Sequence, residues 1–173
     1  MKKPDRFKAN FKIIDEKAFS GSRIESISIP SSIVEIRKGV FENCVNLQKV
    51  VLKISNDLKI SKFDSFCFYS SSIKSISIPP NLTTICESAF ECCKNLRYVD
   101  IPENSQLKII EQDAFSDSSI ESIYIPSSLY YIDPTAFTNC NLKIIETGEN
   151  CKIDDWQFAF DFNYSIIVYM PHK

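Results

Sequence analysis

The segment Ile85–Pro102, "ICESAFECCKNLRYVDIP", contains a pattern that recurs along the chain. An aliphatic residue, Ile85, is followed by the small residue Ala89 and then by Phe90. The phenylalanine returns at steps of 22, 27, 22, 25, 22 and 23 residues, as Phe19, Phe41, Phe68, Phe90, Phe115, Phe137 and Phe160. Such a period is typical of solenoid proteins, in which a unit buries its apolar face only by stacking on its neighbours.

Each unit predicts one short strand and one turn segment. The aliphatic residues late in a unit alternate, as Ile27 and Ile29 do, and this period of two indicates a strand with one buried face. The proline that often follows, such as Pro30, has no N–H group for a ladder and ends the strand. The segment before each Phe predicts a turn of α- or 3₁₀-helix, with Asp133 and Pro134 at the N-cap and first helical positions of the sixth unit.

The spacing of the small residue, Phe and Cys resembles the leucine-rich repeats of the BspA-like family, whose motif runs roughly L-x-x-I-x-x-x-A-F-x-x-C-x-x-L-x-x-I-x-I-P. The resemblance extends from about Phe7 to about Tyr169. It implies an α/β solenoid of about six to seven repeats, with short strands on one face and short helices or turns on the other. It also implies adhesion and protein binding, since family members described as surface proteins of bacteria and protozoan parasites act in this way.

The chain is predicted to form a single solenoid domain over residues 1–173. Residues 1–14 are interpreted as a partial N-terminal repeat, because their apolar residues align with those of the next unit. Residues 151–173 are interpreted as an aromatic-rich C-terminal repeat or cap.

Composition and charge argue against several classes of partner. The formal net charge is -2 and the basic residues are scattered, so no nucleic-acid partner is expected. No apolar run of 18 residues occurs, so no membrane span is expected. The N-terminal residues lack the apolar region of a signal peptide.

The sequence predicts no catalytic residues, no cofactor and no metal site. His172 is the only histidine and lies beside the C-terminus, where it is poorly placed as the base of a Ser–His or Cys–His pair. No Cys-x-x-Cys pair occurs, so a zinc site is not expected.

The cysteines predict buried, reduced thiols. Cys44, Cys93 and Cys140 each lie three residues after the Phe of their unit, in every second unit. Rungs lie ~4.8 Å apart, so these thiols should be ~10 Å from one another, whereas a disulfide needs Cα atoms within about 7 Å. Without a signal peptide, the pattern favours a cytoplasmic or nuclear protein.

The variable strand positions predict a binding surface, because residues between the core aliphatics point away from the core. Odd units carry small residues there and even units carry bulky ones, which indicates duplication of a two-unit block of ~48 residues. One interpretation is duplication history alone. The other is a protein-binding face anchored by exposed tyrosines, consisting of Lys49, Tyr98, Asp100, Tyr124 and Glu146.

The last predicted strand, Ile166 to Met170, is apolar on both faces. One interpretation is that the core wraps over it. The other is self-association through an unpaired edge, with Ile167, Val168 and Met170 in places that hold Ser, Glu and Lys in other units. A symmetric dimer would close such an assembly.

Together these features predict a non-enzymatic protein–protein interaction module, located in the cytoplasm or nucleus, whose protein partner is unknown. The alternative is a fragment of a BspA-like cell-surface adhesin that binds host or matrix proteins. A longer reading frame with a signal peptide would favour the adhesin, and seven free thiols in the native protein would favour the intracellular module.

Overall fold

The computed structural model describes residues 11–53, 60–151, 159–160 and 167–169. Within these ranges the chain forms a β-solenoid of about six turns. Its strands, in chain order, are β1 (Ile13–Ile14), β2 (Ser26–Ile29), β3 (Glu35–Ile36), β4 (Lys49–Leu52), β5 (Lys62–Phe63), β6 (Ser75–Ser77), β7 (Thr84–Ile85), β8 (Tyr98–Asp100), β9 (Ile109–Ile110), β10 (Ser122–Ile125), β11 (Tyr131–Ile132), β12 (Ile144–Thr147) and β13 (Ile167–Tyr169).

The strands form two layers, and every pairing is parallel. The longer strands pair as β2–β4, β6–β8 and β10–β12–β13, and their outer surface is called the strand face below. The shorter strands pair as β1–β3 and β5–β7–β9–β11. The longer strands therefore form three sheets rather than one.

The breaks between these three sheets coincide with the longest repeats. They fall after β4 and after β8, where the step between repeat phenylalanines grows from 22 residues to 27 and 25. In both units the additional residues follow the strand in the sequence, and the strands on the two sides of each break remain in contact without a ladder. Each unbroken pair of long strands thus corresponds to one two-unit block of the sequence.

The segments before the repeat phenylalanines are turns, not the predicted helical turns. Apart from Ala159, which lies in a 3₁₀ segment, the described residues contain no helix. Left-handed φ values explain the difference, because a residue with positive φ interrupts a right-handed helix. Such residues stand two positions before the Phe (Lys17, Gly39, Phe66, Ser88, Asp113) and two positions after it (Gly21, Asn43, Ser70, Cys92, Asp117, Asn139).

Asp133 caps a turn of this kind rather than a helix. Its Oδ1 accepts hydrogen bonds from the backbone N–H of Thr135 at 2.9 Å and from the Thr135 hydroxyl at 2.8 Å. Burial acts to raise the pKa of the Asp133 carboxyl, but the hydrogen bonds from Thr135 and from Tyr131 outweigh it and hold that pKa below its usual value.

Backbone hydrogen bonds also tie the turns of successive units together. In the fourth unit the N–H groups of Ser88, Phe90 and Cys92 donate to carbonyl groups of the fifth unit at 3.0, 2.8 and 2.9 Å. Equivalent bonds join the other turns, so the turn side carries its own ladder. This ladder satisfies backbone groups that a helix would have paired internally.

The repeat phenylalanines form one continuous stack in the core, as predicted. Neighbouring ring centroids lie 5.1 to 5.5 Å apart, with planes inclined by at most 23°. Phe19, at the N-terminal end of the described stack, is only partly buried, and the other six rings are buried. Phe63 from β5 contacts Phe68 and Phe90 edge-on.

The ladder cysteines Cys44, Cys93 and Cys140 form no disulfide, as predicted. The Cys93 thiol donates to the Phe68 carbonyl at 3.1 Å and lies 3.6 Å from the Ser71 hydroxyl. Cys44 and Cys140 repeat these contacts with the preceding unit. Cys140 is only half-buried, contrary to the prediction, because it lies near the C-terminal end of the described stack.

The terminal repeats predicted over residues 1–14 and 151–173 lie largely outside the described residues. Their described parts extend the stack, since β1 pairs with β3 and β13 pairs with β12. Among the described residues, no helix has the length and apolar character needed to span a membrane.

Candidate binding face

Within each sheet of longer strands, the register aligns the outward residues in two columns. The first column consists of Ser26, Lys49, Ser75, Tyr98, Ser122 and Ile144, and the second of Ser28, Val51, Ser77, Asp100, Tyr124 and Glu146. The residues between the columns, such as Val99 and Ile123, are buried. The predicted division into inward and outward strand positions is therefore confirmed for these strands.

Four of the five residues predicted for the binding face line one cleft. Tyr98, Asp100, Tyr124 and Glu146 surround a volume of about 410 Å³. Tyr98 is 64% exposed, Asp100 and Glu146 are exposed, and Tyr124 is half-buried. The fifth residue, Lys49, is exposed on β4 and does not line the cleft.

The cleft lies at the seam between β8 and β10, where the longer strands are not joined by a ladder. Ser122 occupies the first column beside Tyr98, and its small side chain forms part of the cleft lining. Glu103 also lines the cleft and was missed by the sequence interpretation. It belongs to the segment after Pro102 that carries two additional residues, and this insertion was the signal that could have identified it.

Gly148 explains why Tyr124 is only half-exposed. The glycine follows β12 opposite Pro126, and its N–H donates to the Ile125 carbonyl at 2.8 Å. A Cβ atom at position 148 would lie 2.9 Å from the Tyr124 hydroxyl and 2.9 Å from the Ser127 nitrogen. The missing side chain thus makes room for the tyrosine. Burial raises the pKa of Tyr124, and the negative charge of Glu103 adds to the rise.

The cleft carries unpaired negative charge. Among the described residues, the carboxylates of Asp100, Glu103 and Glu146 have no ion-pair partner. The nearby cations Arg97 and Lys143 instead contact Glu121, at 2.8 and 3.3 Å.

The described residues show no arrangement suited to a metal ion. No group of three or more His, Cys, Asp or Glu side chains in this part of the chain has the necessary geometry. The three carboxylates of the cleft are therefore not grouped as a metal site.

The register of β13 corrects the position assigned to Val168. Val168 lies opposite Ile145, in line with the buried core residues, rather than in a polar outward position. In β13 the residue in the first outward column is Ile167, because it pairs with Ile144 of that column. Val168 is nevertheless 37% exposed. Met170 lies outside the described residues.

The N-terminal end of the described stack also presents apolar side chains. A recess of about 760 Å³ is lined by residues that include Ile13, Ile14, Phe19 and Ile27. Ile13 on β1 is 42% exposed. Both described ends of the solenoid thus present apolar strand residues.

Solved structures share this fold. The chain superposes on PcpA, a pneumococcal vaccine antigen, with a TM-score of 0.71 and 26% identity over 80% of this chain and 36% of that chain. It superposes on a leucine-rich cell-surface protein of Faecalibacterium prausnitzii A2-165 with a TM-score of 0.54 and 23% identity, over 80% of this chain and 43% of that chain. The chain thus spans less than half the length of either protein.

The repeat pattern matches a described family along most of the chain. The BspA type leucine-rich repeat region matches in six copies, over residues 12–143 and 104–169. No curated protein sequence matches the chain. Leucine-rich repeats of this kind are typically non-catalytic binding modules. The chain belongs to the BspA-type leucine-rich repeat family.

Proposed function

We propose that this chain is a non-enzymatic protein-binding module of a cell-surface leucine-rich repeat protein, and that it contacts its partner through the strand face. The observation that carries the proposal is the cleft, where the exposed Tyr98 and the half-buried Tyr124 flank a concave surface. Tyrosine is enriched at the energetic centres of protein interfaces, because a rigid ring gives contact area at low entropic cost.

The likeness to PcpA supports the cell-surface setting over the cytoplasm or nucleus. That protein is a vaccine antigen and is 26% identical to this chain over 80% of this chain and 36% of PcpA. The alternative of a surface adhesin fragment is therefore preferred to the intracellular module that the sequence first favoured. The proposal includes adhesion to a host or matrix protein, which no single residue of the chain indicates by itself.

The unpaired cysteines are compatible with an oxidising setting. Burial raises the pKa of the Cys67 and Cys93 thiols, the latter to about 12, so little thiolate is present near neutral pH. Since the thiolate is the reactive form, these buried thiols should resist oxidation. The free cysteines nonetheless favour the second candidate, a binding module in the cytoplasm or nucleus.

Labelling of intact cells distinguishes these two locations. Antibodies raised against the folded chain are applied to intact and to permeabilised cells of the source organism. The proposal expects labelling of the intact cells. Labelling that requires permeabilisation would contradict the surface location and favour the intracellular candidate.

Site-specific photo-crosslinking tests the binding face. A benzophenone amino acid is placed at position 98 on the strand face, and in a control protein at position 87, an exposed residue of the turn side. A specific partner should crosslink from position 98, should be displaced by an excess of unlabelled chain, and should not crosslink from position 87. Equal capture from both positions, or none from position 98, would refute binding through the strand face.

The Tyr98→Ala variant supplies an affinity measurement once such a partner is captured. Loss of an exposed anchor ring should weaken binding by more than ~1 kcal/mol with little change in melting temperature. Tyr130→Ala serves as the matched control, since Tyr130 is equally exposed but does not line the cleft. Equal losses in the two variants would contradict a special role of the cleft.

A further inference from the structure

We propose that the cleft binds a lysine or arginine side chain presented by an extended segment of the partner protein. This inference rests on the proposed function and specifies the chemistry of the partner. It follows from the charge of the cleft, from the order of its side chains across the strands and from its size.

The charge of the cleft favours a cation. Asp100, Glu103 and Glu146 line it and have no ion-pair partner among the described residues. Arg97 and Lys143, which adjoin Tyr98 and Ile144 in the sequence, are both engaged by Glu121. Nothing in the described part of the chain therefore neutralises the three carboxylates, and a basic partner would supply the complementary charge.

The side chains of the second column provide a specific binding position for that cation, called the cation seat below. Asp100, Tyr124 and Glu146 stand on β8, β10 and β12 and line the same cleft, with the tyrosine on the middle one of the three strands. The ladder between β10 and β12 places Tyr124 and Glu146 opposite each other at the backbone, ~4.8 Å apart, and Asp100 lies on the other side of the seam. A guanidinium or ammonium group within about 6 Å of the ring centroid would gain a cation–π contact. The carboxylates of Asp100 and Glu146 could accept charge-assisted hydrogen bonds from the same group.

The first column accounts for access to this seat. Tyr98 stands on one side of Ser122, and the small serine leaves the space between the two tyrosines open. The resulting volume of about 410 Å³ accommodates a long side chain and its neighbours. An extended segment lying along the strands could place a single basic side chain there and contact Tyr98 with its backbone.

Titration with a defined basic peptide tests the inference. The probe is decalysine, titrated into the whole chain by isothermal calorimetry at low and at physiological salt. The test variant is Asp100→Asn/Glu146→Gln, and the control is Glu16→Gln/Glu87→Gln, which removes the same charge from exposed carboxylates of the turn side. The cleft variant should bind decalysine about tenfold more weakly than the control, since two charge-assisted contacts are lost.

A Tyr124→Leu variant separates the ring from the charges. It keeps apolar bulk at the same position but removes the aromatic face, so about two- to fivefold weaker binding is expected. Circular dichroism melts of each variant verify folding, and all affinities are compared between folded proteins. Equal weakening in the cleft and control variants would show general charge attraction and overturn the inference. Absence of decalysine binding would overturn it as well.

The outcome is distinguishable from failure of the proposed function. If a partner crosslinks from position 98 while decalysine does not bind, the binding module stands and its basic partner chemistry is wrong. If decalysine binds the cleft but no partner is captured, the cation seat stands and the proposed function lacks support. If no partner crosslinks from position 98 and decalysine does not bind, both proposals are wrong.

Discussion

The repeat phenylalanines show most directly how single residues hold this solenoid together. Phe90 is fully buried and stacks on Phe68 and on Phe115 with centroids 5.1 Å away on each side. Phe90→Ala should lower the free energy of unfolding by about 3–5 kcal/mol, because it removes a buried ring and leaves a cavity. Since repeat arrays depend on neighbouring contacts, the loss should extend to adjacent units. Denaturant melts provide the measurement.

Phe19→Ala is the comparison for Phe90→Ala. Phe19 is only partly buried and, among the described residues, stacks on Phe41 alone. Phe19→Ala should therefore cost clearly less than Phe90→Ala. A cost for Phe90→Ala below ~1 kcal/mol, or equal costs at the two positions, would contradict the central role of the stack.

Adjacent cysteines differ sharply in exposure and so in expected reactivity. Cys92 is partly exposed in its turn, whereas Cys93 is fully buried and hydrogen-bonded to the Phe68 carbonyl. Burial raises the pKa of the Cys93 thiol to about 12, which suppresses its thiolate. In native protein at pH 8, iodoacetamide should label Cys92 well before Cys93, as followed by mass spectrometry. Cys93 should react at an ordinary rate once the protein is unfolded in denaturant.

The buried ladder residue Cys44 should behave like Cys93, and the half-buried Cys140 should react at an intermediate rate. Rapid native labelling of Cys44 and Cys93 would mean that the turns are not packed as described. A disulfide between any two of these three cysteines would refute the ladder itself.

Among the elements, the segments before the repeat phenylalanines are those for which the sequence left two alternatives, short helices or turns, and the structure shows turns. An N-cap signal such as Asp133-Pro134 is common to helices and to capped turns, so it could not decide between them. The deciding signal was present in Gly21, Gly39, Asn43 and Asn139, which stand two residues from a repeat Phe. Glycine and asparagine adopt positive φ more readily than other residues. Lys17, Phe66 and Ser88 carry no such signal, and there the ladder between units imposes the conformation.

The left-handed positions give a prediction for the turns. Gly21 has φ of +66°, and a Cβ atom there would meet no atom within 4 Å. Gly21→Ala should therefore destabilise the protein by about 1 kcal/mol through backbone strain alone. Gly21→Asn should cost less, because Asn43 and Asn139 hold the equivalent position in other units. Thermal melts measure both variants.

Ser20→Ala is the matched control for this turn. It places an alanine one residue earlier by removing only a hydroxyl group, at an exposed position whose φ is not in the left-handed region. It should leave stability within about 0.5 kcal/mol of the unmutated chain. A cost as large as that of Gly21→Ala would show that strain at position 21 is not the cause.

For the whole molecule, the exposed apolar strand residues at the described ends of the stack favour self-association. Strand β13 pairs with β12 on one side, and Val168 remains 37% exposed. An exposed apolar side chain on a strand invites contact with a second copy. We therefore predict self-association through the C-terminal end, and sedimentation equilibrium at micromolar concentration should detect a dimer.

Val168→Lys should shift that equilibrium toward monomer, because it places a charge on the apolar end. The control is Val51→Lys, which changes a comparably exposed valine within the strand face on β4. A monomeric unmutated chain would contradict self-association. A dimer that survives Val168→Lys but dissociates with Ile13→Lys would move the interface to the N-terminal end.

The sequence by itself determined the repeat, the phenylalanine stack, the spacing of the cysteines and the alternation of inward and outward strand residues. These features depend on a periodicity that is present within each unit and recurs in the next unit. Tertiary structure decided how the units stack where their lengths differ. It placed a seam after β8, brought Glu103 from an insertion into the cleft, set Tyr124 against Gly148 and put Val168 in line with the core. Those outcomes could not be predicted, because register and burial at irregular units depend on contacts between segments more than 20 residues apart.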